Sequence, residues 1–559
     1  MAAWDETFDL VVVGTGIGGL AAAITATDLG LRVLMLEKAS RVGGTTAWSY
    51  GIVWAGANHL QQGIGIPDTA AETGAYLEYL GGGRNDPGVT ASFIANAPRA
   101  LRYFEQSARV PFYVVEKLPD HYFPFGGGSK PSGRSIQVRP FEARTLGEWQ
   151  ARLEMTPFDH GRITFEEMAA WGGRAGYRNW DRSVIAAREA ADIRTFGAAL
   201  AGHFVKAALD RRISIRTDAD VDRLIVEDGR VCGVELADGA GTKRIHGRRG
   251  VLLATGAYDA NTELMACFDE FSSYPHGGKS HNRGGGLVMA LEHGAAFVVS
   301  HGSLSIKLSY YIEGEKIDGE PWARGAGPRE LAYPHSILVN RFGCRFADES
   351  SFGDISARLR HFDVRGHRLL NVPLFLIFDS QYLDKYGLAP LPPGATPPDW
   401  LPRGATLEEL AQRLKLDPAT LAATVERFNG FVRKGHDDEF KRGETPWARQ
   451  ATSDLTLANP NLGAVSKPPF FGIEVLPSQG NAVGLKTNGI GQVLHLRGHP
   501  IGGLYACGDV AAWRHIGVGY QAGLSLAGGM TFGWLAAQHA AGHAVDNTGS
   551  TTKKTGGTR

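Results

Sequence analysis

DLVVVGTGIGGLAAAITATDLGLRVLMLEK, residues 9–38, decides the fold class of this chain. The run DLVVV leads into the turn GTGIGG, a helix rich in small residues follows, and a second apolar run ends in Glu37 and Lys38. Strand, glycine turn, helix and strand at this spacing are typical of a βαβ unit with parallel strands. We therefore predict an α/β fold with a Rossmann-like domain.

Three glycines give this turn its chemistry. Gly14 permits the tight turn, Gly16 lets the backbone approach a pyrophosphate, and Gly19 lets the helix pack on the sheet. The helix N-terminus offers unpaired N–H groups and a positive dipole end to phosphates. Glu37 can accept hydrogen bonds from ribose hydroxyls. The unit predicts a dinucleotide site, against the alternative of a purely structural glycine turn.

Length and composition exclude several classes of protein. A chain of 559 residues is too long for one core and predicts two or three domains. Lysine plus arginine equals aspartate plus glutamate, at 58 each, which gives no support for a nucleic-acid or anionic membrane partner. No apolar run reaches the roughly 18–20 residues of a membrane helix. Acidic residues precede the first apolar run, the reverse of a signal peptide.

The cysteines give no sign of a metal site. The four are far apart and form no CxxC motif: Cys232, Cys267, Cys344 and Cys507. A structural zinc site or an iron–sulfur cluster is therefore not expected, and the count fits a reducing cytosol. We expect a cytoplasmic protein without a metal, and its oligomeric state stays open.

The chain divides into a discontinuous first domain and an insertion. Residues 212–255 alternate as a β-meander that ends in a return strand of the parallel sheet. From about residue 274, the strands HSILVN and PLFLIFD mix with amphipathic helices, which predicts an inserted α+β catalytic domain over 274–451. Residues 1–273 and 452–541 then form the nucleotide-binding domain. The polar tail, 542–559, is expected to be disordered.

The residues after Glu37 resemble an FAD module. KASRVGGTTAWSYG, the segment ATGAYDAN (254–261), the pair Gly508–Asp509 and the last helix are similar to the fumarate reductase and 3-ketosteroid dehydrogenase family. The resemblance covers nearly the whole chain. It implies that Asp509 binds the ribityl chain of FAD and that the last helix points its N-terminus at the flavin. Residues 43–51 lack the histidine that a covalent flavin link uses in this family, so it implies non-covalent FAD. The candidate FAD-binding residues are Gly14, Gly16, Gly18, Gly19, Glu37, Lys38, Gly43, Gly44, Thr45, Thr46, Gly51, Val221, Ala254, Thr255, Gly256, Gly508, Asp509, Ser525 and Leu526.

Residues 513–537, WRHIGVGYQAGLSLAGGMTFGWLAA, separate two activities within that family. A fumarate reductase has a histidine and an arginine close together here; His515 takes the first place, but Tyr520 stands near the place of the arginine. A 3-ketosteroid dehydrogenase instead has a tyrosine followed by small residues. PDHYFPFGGGSKPSGRS, residues 119–135 (the aromatic loop), resembles the active-site loop of that enzyme.

This resemblance implies an FAD-dependent dehydrogenase that introduces a double bond α,β to a ring ketone. The substrate would be a hydrophobic 3-ketosteroid or a smaller cyclohexanone-type ketone, and an external acceptor would take the electrons. YQAGLSLAGG departs from the proline-rich run of the family, so the bond that is desaturated stays open.

Desaturation next to a ketone needs a donor for the ketone oxygen and a base for the α-proton. We assign the donor to the Tyr520 hydroxyl, assisted by a backbone N–H near Gly523 or Leu524. The resemblance puts the base at the start of the insertion, where Tyr310 and Tyr311 are both candidates; adjacent strand residues face opposite ways, so only one can reach the flavin.

A tyrosine base has an ordinary pKa of about 10, which a neighbouring donor must lower. Tyr122 is the candidate helper. His515 is expected to be structural, Arg514 to be a surface or phosphate-facing charge, and Arg134 to close the aromatic loop by a salt bridge.

Two alternatives stay open. The first is a fumarate-reductase-like enoate or enone reductase, which a cluster of substrate-binding arginines would favour. The second is a flavin electron carrier or scaffold with no substrate of its own, and a deep aromatic pocket beside the flavin would count against it.

Overall fold

A mixed sheet grows from the N-terminal strand, turn and helix. The computed structural model describes residues 4–157, 159–238, 241–300, 302–325, 328–451, 454–545 and 551–553. Four strands run parallel to their neighbours around Glu6–Val13, and an antiparallel meander extends the sheet on one side. In spatial order the strands are Gln492–Leu494, Pro500–Ala506, Arg230–Asp238, Gly241–Leu253, Glu6–Val13, Val33–Leu36 and Ser214–Arg216, with Val221–Glu227 paired to Arg230–Asp238. The predicted βαβ unit, meander and return strand are confirmed.

Helices pack on this first sheet, and two of them make an unusually close contact. Ile17–Asp28 packs on Leu524–Ala540, where a β-carbon on Gly533 would lie 2.3 Å from the Gly18 carbonyl oxygen. Only glycine lets the last helix approach the first this closely. The chain ends are therefore joined in one apolar core. The other helices of this region are Gly44–Trp48, His59–Gly63, Ala70–Gly81, Pro87–Ser107, Phe165–Ala170, Arg182–Ala191, Phe196–Asp210, Thr262–Phe268 and Gly285–Leu291, with 3₁₀ turns at Ala143–Arg152, Asp159–Arg162, Arg174–Asn179 and Gly508–Val510.

A second, antiparallel sheet forms the core of the insertion. Its strands, in spatial order, are Arg324–Gly325, Lys307–Tyr310, Phe470–Ser478, Leu374–Asp379 and Ser336–Asn340, with Arg403–Gly404 paired to Phe470–Ser478. Its helices are Pro328–Ala332, Phe352–Arg358, Ser380–Tyr386, Leu407–Leu414, Pro418–Lys434 and Pro446–Ala451. The strands and helices predicted for HSILVN, PLFLIFD, LEELAQRLK and PATLAATVERFNGFVRK are present.

Both predicted boundaries of the insertion need correction. Phe470–Ser478, predicted to belong to the first domain, pairs with Leu374–Asp379 in the middle of the second sheet. Gly285–Leu291, predicted to belong to the insertion, packs in the core of the first domain, and Phe297–Val299 pairs with Val483–Leu485. The second sheet therefore draws its strands from residues 307 to 478. The sequence did not predict this range, because strand pairing between distant segments leaves no local mark in it.

Short ribbons complete the structure. They are Val53–Trp54, Ser135–Val138 and Phe112–Val114 in one three-stranded sheet, and the pairs Phe141–Glu142 with Ile193–Arg194, Lys316–Ile317 with Glu320–Pro321, Phe362–Asp363 with Arg368–Leu369, and His543–Val545 with Thr551–Lys553. The last pair lies in the tail that was predicted to be disordered; residues 546–550 and 554–559 of that tail lie outside the described residues. Within the described part of the chain, no helix is both long enough and apolar enough to cross a bilayer.

Candidate active site

A cleft of about 250 Å³ opens at the carboxyl ends of the parallel strands. This is where open α/β sheets place their ligands. Of the candidate FAD-binding residues, those that line it are Gly14, Gly16, Gly18, Glu37, Lys38, Gly44, Thr45, Thr46, Val221, Ala254, Thr255, Gly256, Gly508, Asp509, Ser525 and Leu526. The structure thus brings together residues that are up to about 500 positions apart in the sequence.

Three candidate glycines are packed behind the cleft wall instead. A β-carbon on Gly19 would lie 2.1 Å from the Gly14 carbonyl oxygen, and one on Gly51 would lie 2.5 Å from the backbone of Phe196. Gly43 has φ 109° and donates its N–H to Thr15 Oγ1 at 3.1 Å. Their glycine identity therefore serves turn geometry and packing rather than contact with a ligand.

Glu37 is held rigidly at the mouth of this cleft. Its Oε2 accepts from the N–H and the hydroxyl of Thr15 at 3.0 and 2.6 Å, and its Oε1 accepts from the Ala39 N–H at 3.0 Å. A carboxylate fixed in this way at the end of the second strand retains lone pairs for ribose hydroxyls.

The cleft wall fits a nucleotide cofactor. Around Gly285 and Gly508 no atom outside the adjoining residues and the local helix backbone lies within 4 Å of the position that a β-carbon would take, so bare backbone faces open space. The Thr255 hydroxyl is buried there without a hydrogen-bond partner among the described residues. Burial raises the pKa of Asp509 above its ordinary value. Exposed backbone lets a large polar ligand approach closely, and such a ligand can satisfy the buried hydroxyl.

Sequence reasoning missed one wall of the cleft. The segment between Lys279 and Gly286 lines it with basic and amide side chains: Lys279, His281, Asn282 and Arg283. The Asn282 amide donates to Asp259 Oδ1 at 2.9 Å and thereby fixes this wall. The run HNRGGG, residues 281–286, has three consecutive glycines and was the feature of the sequence that could have indicated this wall.

Tyr520 stands beside this cleft among aromatic rings. The helix Leu524–Ala540, which contributes Ser525 and Leu526 to the cleft, begins four residues after it. The ring centroids of His121 and Phe352 both lie 5.4 Å from that of Tyr520. Neither of these two residues was predicted. His121 adjoins the predicted Tyr122, whereas Phe352 carries no local signal.

His121 is held by the segment that follows Tyr520. Its Nε2 accepts from the Ala522 N–H at 3.4 Å, and its ring lies 3.7 Å from that of Trp447. Burial lowers the pKa of His121 to about 3, so the imidazole is neutral at pH 7. The sequence predicted a backbone donor for the ketone oxygen at Gly523 or Leu524. The Leu524 N–H already donates to the Gln521 carbonyl at 3.2 Å, so the Gly523 N–H is the remaining candidate.

Tyr122 is brought to the same place by the aromatic loop. Its hydroxyl lies against Gly353, where a β-carbon would be 2.6 Å away. Burial, together with the neighbouring Tyr79 and Tyr520 hydroxyls, raises the pKa of Tyr122 to about 12. Tyr122 is therefore a protonated hydroxyl in this state of the protein.

Arg134 fastens this loop, as predicted. Its Nε and Nη2 donate to the two oxygens of Asp68 at 2.7 Å each, and its Nη1 donates to Asp120 at 2.9 Å. All three side chains are buried. Asp120 also accepts from the Trp54 indole at 2.8 Å, so the network ties the aromatic loop to the first domain.

Tyr310 and Tyr311 are placed elsewhere. Tyr310 is 1% exposed in the core of the second sheet and donates its hydroxyl to the Ala389 carbonyl at 2.6 Å; burial raises its pKa well above the usual range. The Tyr311 hydroxyl accepts from the Gly314 N–H at 3.2 Å in a turn. The expectation that one of this pair faces the flavin finds no support, because both hydroxyls are engaged within the insertion.

His515 and Arg514 are also engaged within the protein. His515 packs between the rings of Phe93 and Phe532, with centroids 4.7 and 5.6 Å away, and burial lowers its pKa to about 4. Arg514 pairs with Asp86 and donates to the Thr487 carbonyl at 2.9 Å. Neither residue offers a free cation to a substrate.

Comparison with known proteins agrees with this geometry. The model of the FAD binding domain family matches residues 9–526. The 4-oxocyclohexanecarboxylate 2-dehydrogenase of Sinomonas cyclohexanicum is 34% identical over 97% of this chain and 94% of its own length. The 3-oxosteroid 1-dehydrogenase of Mycobacterium tuberculosis is 32% identical over 96% and 99%.

A solved structure extends the likeness to the whole fold. The 3-ketosteroid delta1-dehydrogenase of Sterolibacterium denitrificans, in complex with 1,4-androstadiene-3,17-dione, is 29% identical, has a TM-score of 0.87 and covers 96% of this chain and 99% of that chain. The predicted fold class and cofactor are thereby confirmed. The chain belongs to the FAD-dependent fumarate reductase and 3-ketosteroid dehydrogenase family, and it is an FAD-binding dehydrogenase.

Proposed function

We propose that this protein removes two hydrogens from neighbouring carbons of a cyclic ketone, next to the carbonyl group. The observation that carries the proposal is the pair of hydroxyls, Tyr520 and Tyr122, set among aromatic rings beside the cofactor cleft. FAD, held without a covalent link by the residues that line the cleft, supplies the acceptor for hydride.

A buried apolar cluster adjoins this hydroxyl pair. Ile52, Val115 and Leu118 are buried together, and four further side chains pack against them: Tyr50, Phe165, Trp447 and Ala522. Apolar surroundings of this kind suit a hydrophobic ring. The relatives support this choice, because their names specify 4-oxocyclohexanecarboxylate and 3-oxosteroids, which are ring ketones.

Two arginines that a dicarboxylate substrate could use are already paired. Arg514 and Arg134, the arginines nearest in sequence to the two site segments, are both paired with internal carboxylates. A dicarboxylic acid needs positive charges to replace its hydration. A ketone oxygen carries no full charge, so a hydrogen bond from the Tyr520 hydroxyl is sufficient to hold it.

In the proposed reaction, Tyr520 donates its hydroxyl to the ketone oxygen. Loss of the α-proton moves negative charge onto that oxygen, and a hydrogen bond that strengthens as the charge develops lowers the barrier. The Gly523 N–H is the proposed second donor. The β-carbon gives up its hydrogen as hydride, which bound FAD would accept, and an external acceptor would finally take the two electrons to complete the turnover.

We assign the removal of the α-proton to Tyr122, whose hydroxyl lies near that of Tyr520. Because its pKa is about 12, forming the phenolate at pH 7 costs about 7 kcal/mol. The two tyrosines thus differ in role: Tyr520 donates a hydrogen bond while protonated, and Tyr122 accepts the α-proton once it has lost its own.

The proposal is tested by mixing the holoenzyme anaerobically with cyclohexanone, 4-methylcyclohexanone and a 3-ketosteroid while the flavin absorbance is recorded. We expect at least one ketone to bleach the flavin and to yield the α,β-unsaturated product. If no ketone did so, and if fumarate instead reoxidised the chemically reduced enzyme, the dehydrogenase assignment would give way to the reductase alternative.

A further inference from the structure

We propose that Arg174 binds a carboxylate on the substrate, so that the ring ketone oxidised by this protein carries an acid group. The inference rests on the proposed function and specifies its substrate class. It would make the substrate an oxo-cyclohexanecarboxylate rather than a neutral steroid.

Arg174 lies where the two domains meet beside the site. It opens the 3₁₀ turn Arg174–Asn179, which packs against Ser380–Tyr386 of the insertion. Its guanidinium lies 5.5 Å from the centre of the Tyr50 ring. Tyr50 follows Ser49, which lines the cofactor cleft. The ring of Tyr50, a first-domain residue next to the cofactor cleft, thus orients the guanidinium of Arg174.

One buried apolar cluster connects Arg174 to the proposed ketone donor. Tyr50 and Ala522, which lies two residues after Tyr520, both pack against Ile52, Val115 and Leu118. In the proposed binding mode the substrate ring lies along this cluster, with its ketone toward Tyr520 and its carboxylate toward Arg174. A six-membered ring with a ketone and a carboxylate at opposite ends has this arrangement.

The guanidinium has hydrogen-bonding capacity to spare. Its Nη1 is buried and has no hydrogen-bond partner among the residues that the structure describes. Among the described residues, the ion-pair contact of Arg174 runs from Nη2 to Glu330 Oε1 and measures 3.7 Å, which is too long for a hydrogen bond. A buried donor without an acceptor is unfavourable, and a carboxylate accepts from a guanidinium through two parallel bonds.

Glu330 provides a second residue at which the role of Arg174 can be tested. Its carboxylate attracts Arg174 and also repels an incoming acid, since both side chains are only 17% exposed. Neutralising Glu330 should therefore strengthen the binding of an anionic substrate. A purely structural role of Arg174 predicts no such gain.

The test compares an acid with its neutral counterpart on the holoenzyme. Wild type, Arg174→Ala, Arg174→Lys and Glu330→Gln are titrated with 4-oxocyclohexanecarboxylate and with 4-methylcyclohexanone under anaerobic reduction of the flavin. Arg178→Ala is the matched control, because Arg178 lies on the same turn, is exposed and faces Gly394. The binding of cyclohexanecarboxylate, which lacks the ketone, is followed by the change in the flavin spectrum.

We expect Arg174→Ala to raise the apparent Kd for the acid and the Kd for cyclohexanecarboxylate by about 10- to 100-fold, the range of a charge-assisted hydrogen bond, with the limiting rate of flavin reduction nearly unchanged. Arg174→Lys should recover part of the loss, Glu330→Gln should lower both constants, and the neutral ketone should be unaffected.

Equal losses for the acid and the neutral ketone, or no loss in Arg174→Ala, would overturn the arginine assignment while the ketone chemistry stands. A wild-type flavin that neither compound reduces would overturn the proposed function, and the assignment with it.

Discussion

At the scale of single residues, two tyrosines with different surroundings carry the proposed chemistry. Tyr520 follows a glycine-rich turn and is flanked by His121 and Phe352. Burial and the neighbouring Tyr79 and Tyr520 hydroxyls raise the pKa of Tyr122 to about 12. Tyr520, as the donor, must stay protonated, whereas Tyr122, as the base, must lose its proton. The high pKa of Tyr122 therefore decides how the rate of ketone oxidation depends on pH.

For Tyr122 as the base, kcat/KM should rise with pH. Below the pKa only the deprotonated fraction is active, and this fraction increases about tenfold for each pH unit between pH 7 and the pKa near 12. The initial rate of ketone oxidation, measured from pH 7 to 10 on the holoenzyme, checks this.

Tyr122→Phe should be slow at every pH and should lose the slope. Tyr113→Phe is the control, because the Tyr113 hydroxyl bonds Gln137 and Glu166 away from the site. A wild-type profile that stays flat over this range would rule out Tyr122 as the base.

The prediction that Tyr310 is the base finds no support, and the reason is strand pairing. Tyr310 and Tyr311 were candidates because of their place along the chain, but a strand's pairing decides which way its side chains face. Lys307–Tyr310 pairs with Phe470–Ser478, and this turns Tyr310 into the core of the insertion. No pattern near residue 310 reveals a partner more than 150 residues away.

At the scale of elements, the aromatic loop is held by a buried ion network rather than by regular structure. Arg134 bridges Asp68 and Asp120, and the Gln521 side chain accepts from the His121 N–H at 2.9 Å. The loop and the turn that carries Tyr520 are therefore positioned together. An anchored loop of this kind can present two side chains to a substrate with little loss of entropy on binding.

Removing the centre of this network should be costly. Arg134→Met leaves two buried carboxylates unpaired, and the free energy of unfolding should fall by about 3–5 kcal/mol. Urea unfolding monitored by tryptophan fluorescence measures this loss. Lys117→Met, on an exposed residue just before the loop, should change stability by less than about 0.5 kcal/mol. Equal stabilities of the two variants would show that the network does not hold the loop.

The elements differ in how well the sequence predicts them. The first βαβ unit was predictable because glycine spacing and strand length are local properties of residues 9–38. The meander and the amphipathic helices were predictable for the same reason. The domain boundaries were not, because Phe470–Ser478 joins the second sheet through non-local pairing.

At the scale of the whole molecule, the cofactor cleft joins segments from both chain ends and from the insertion boundary. Gly14, Asn282 and Gly508 all line it, although they are far apart in the sequence. A ligand that contacts all of these segments in the folded protein alone must stabilise the fold through mass action. The cleft wall missed by sequence reasoning, Lys279–Gly286, belongs to this same assembly.

Removal of FAD should therefore lower the stability of the protein. With free FAD at 100 times its Kd, the folded state should gain about 2.7 kcal/mol relative to the apoprotein. Thermal unfolding of the apoprotein at increasing FAD concentration measures this gain. Riboflavin lacks the adenosine diphosphate half that the glycine turn and Glu37 are proposed to hold, so it should stabilise far less. Identical effects of the two compounds would contradict the assignment of this cleft.

The most direct test of the central claim is the rate of flavin reduction by a ring ketone, measured anaerobically by stopped flow in wild type and Tyr520→Phe. The loss of one donor at a developing oxyanion typically costs 10²- to 10³-fold in rate. We expect a loss of about this size in Tyr520→Phe, with FAD still bound and its spectrum unchanged. An unchanged rate in that variant would contradict the claim that Tyr520 holds the ketone oxygen.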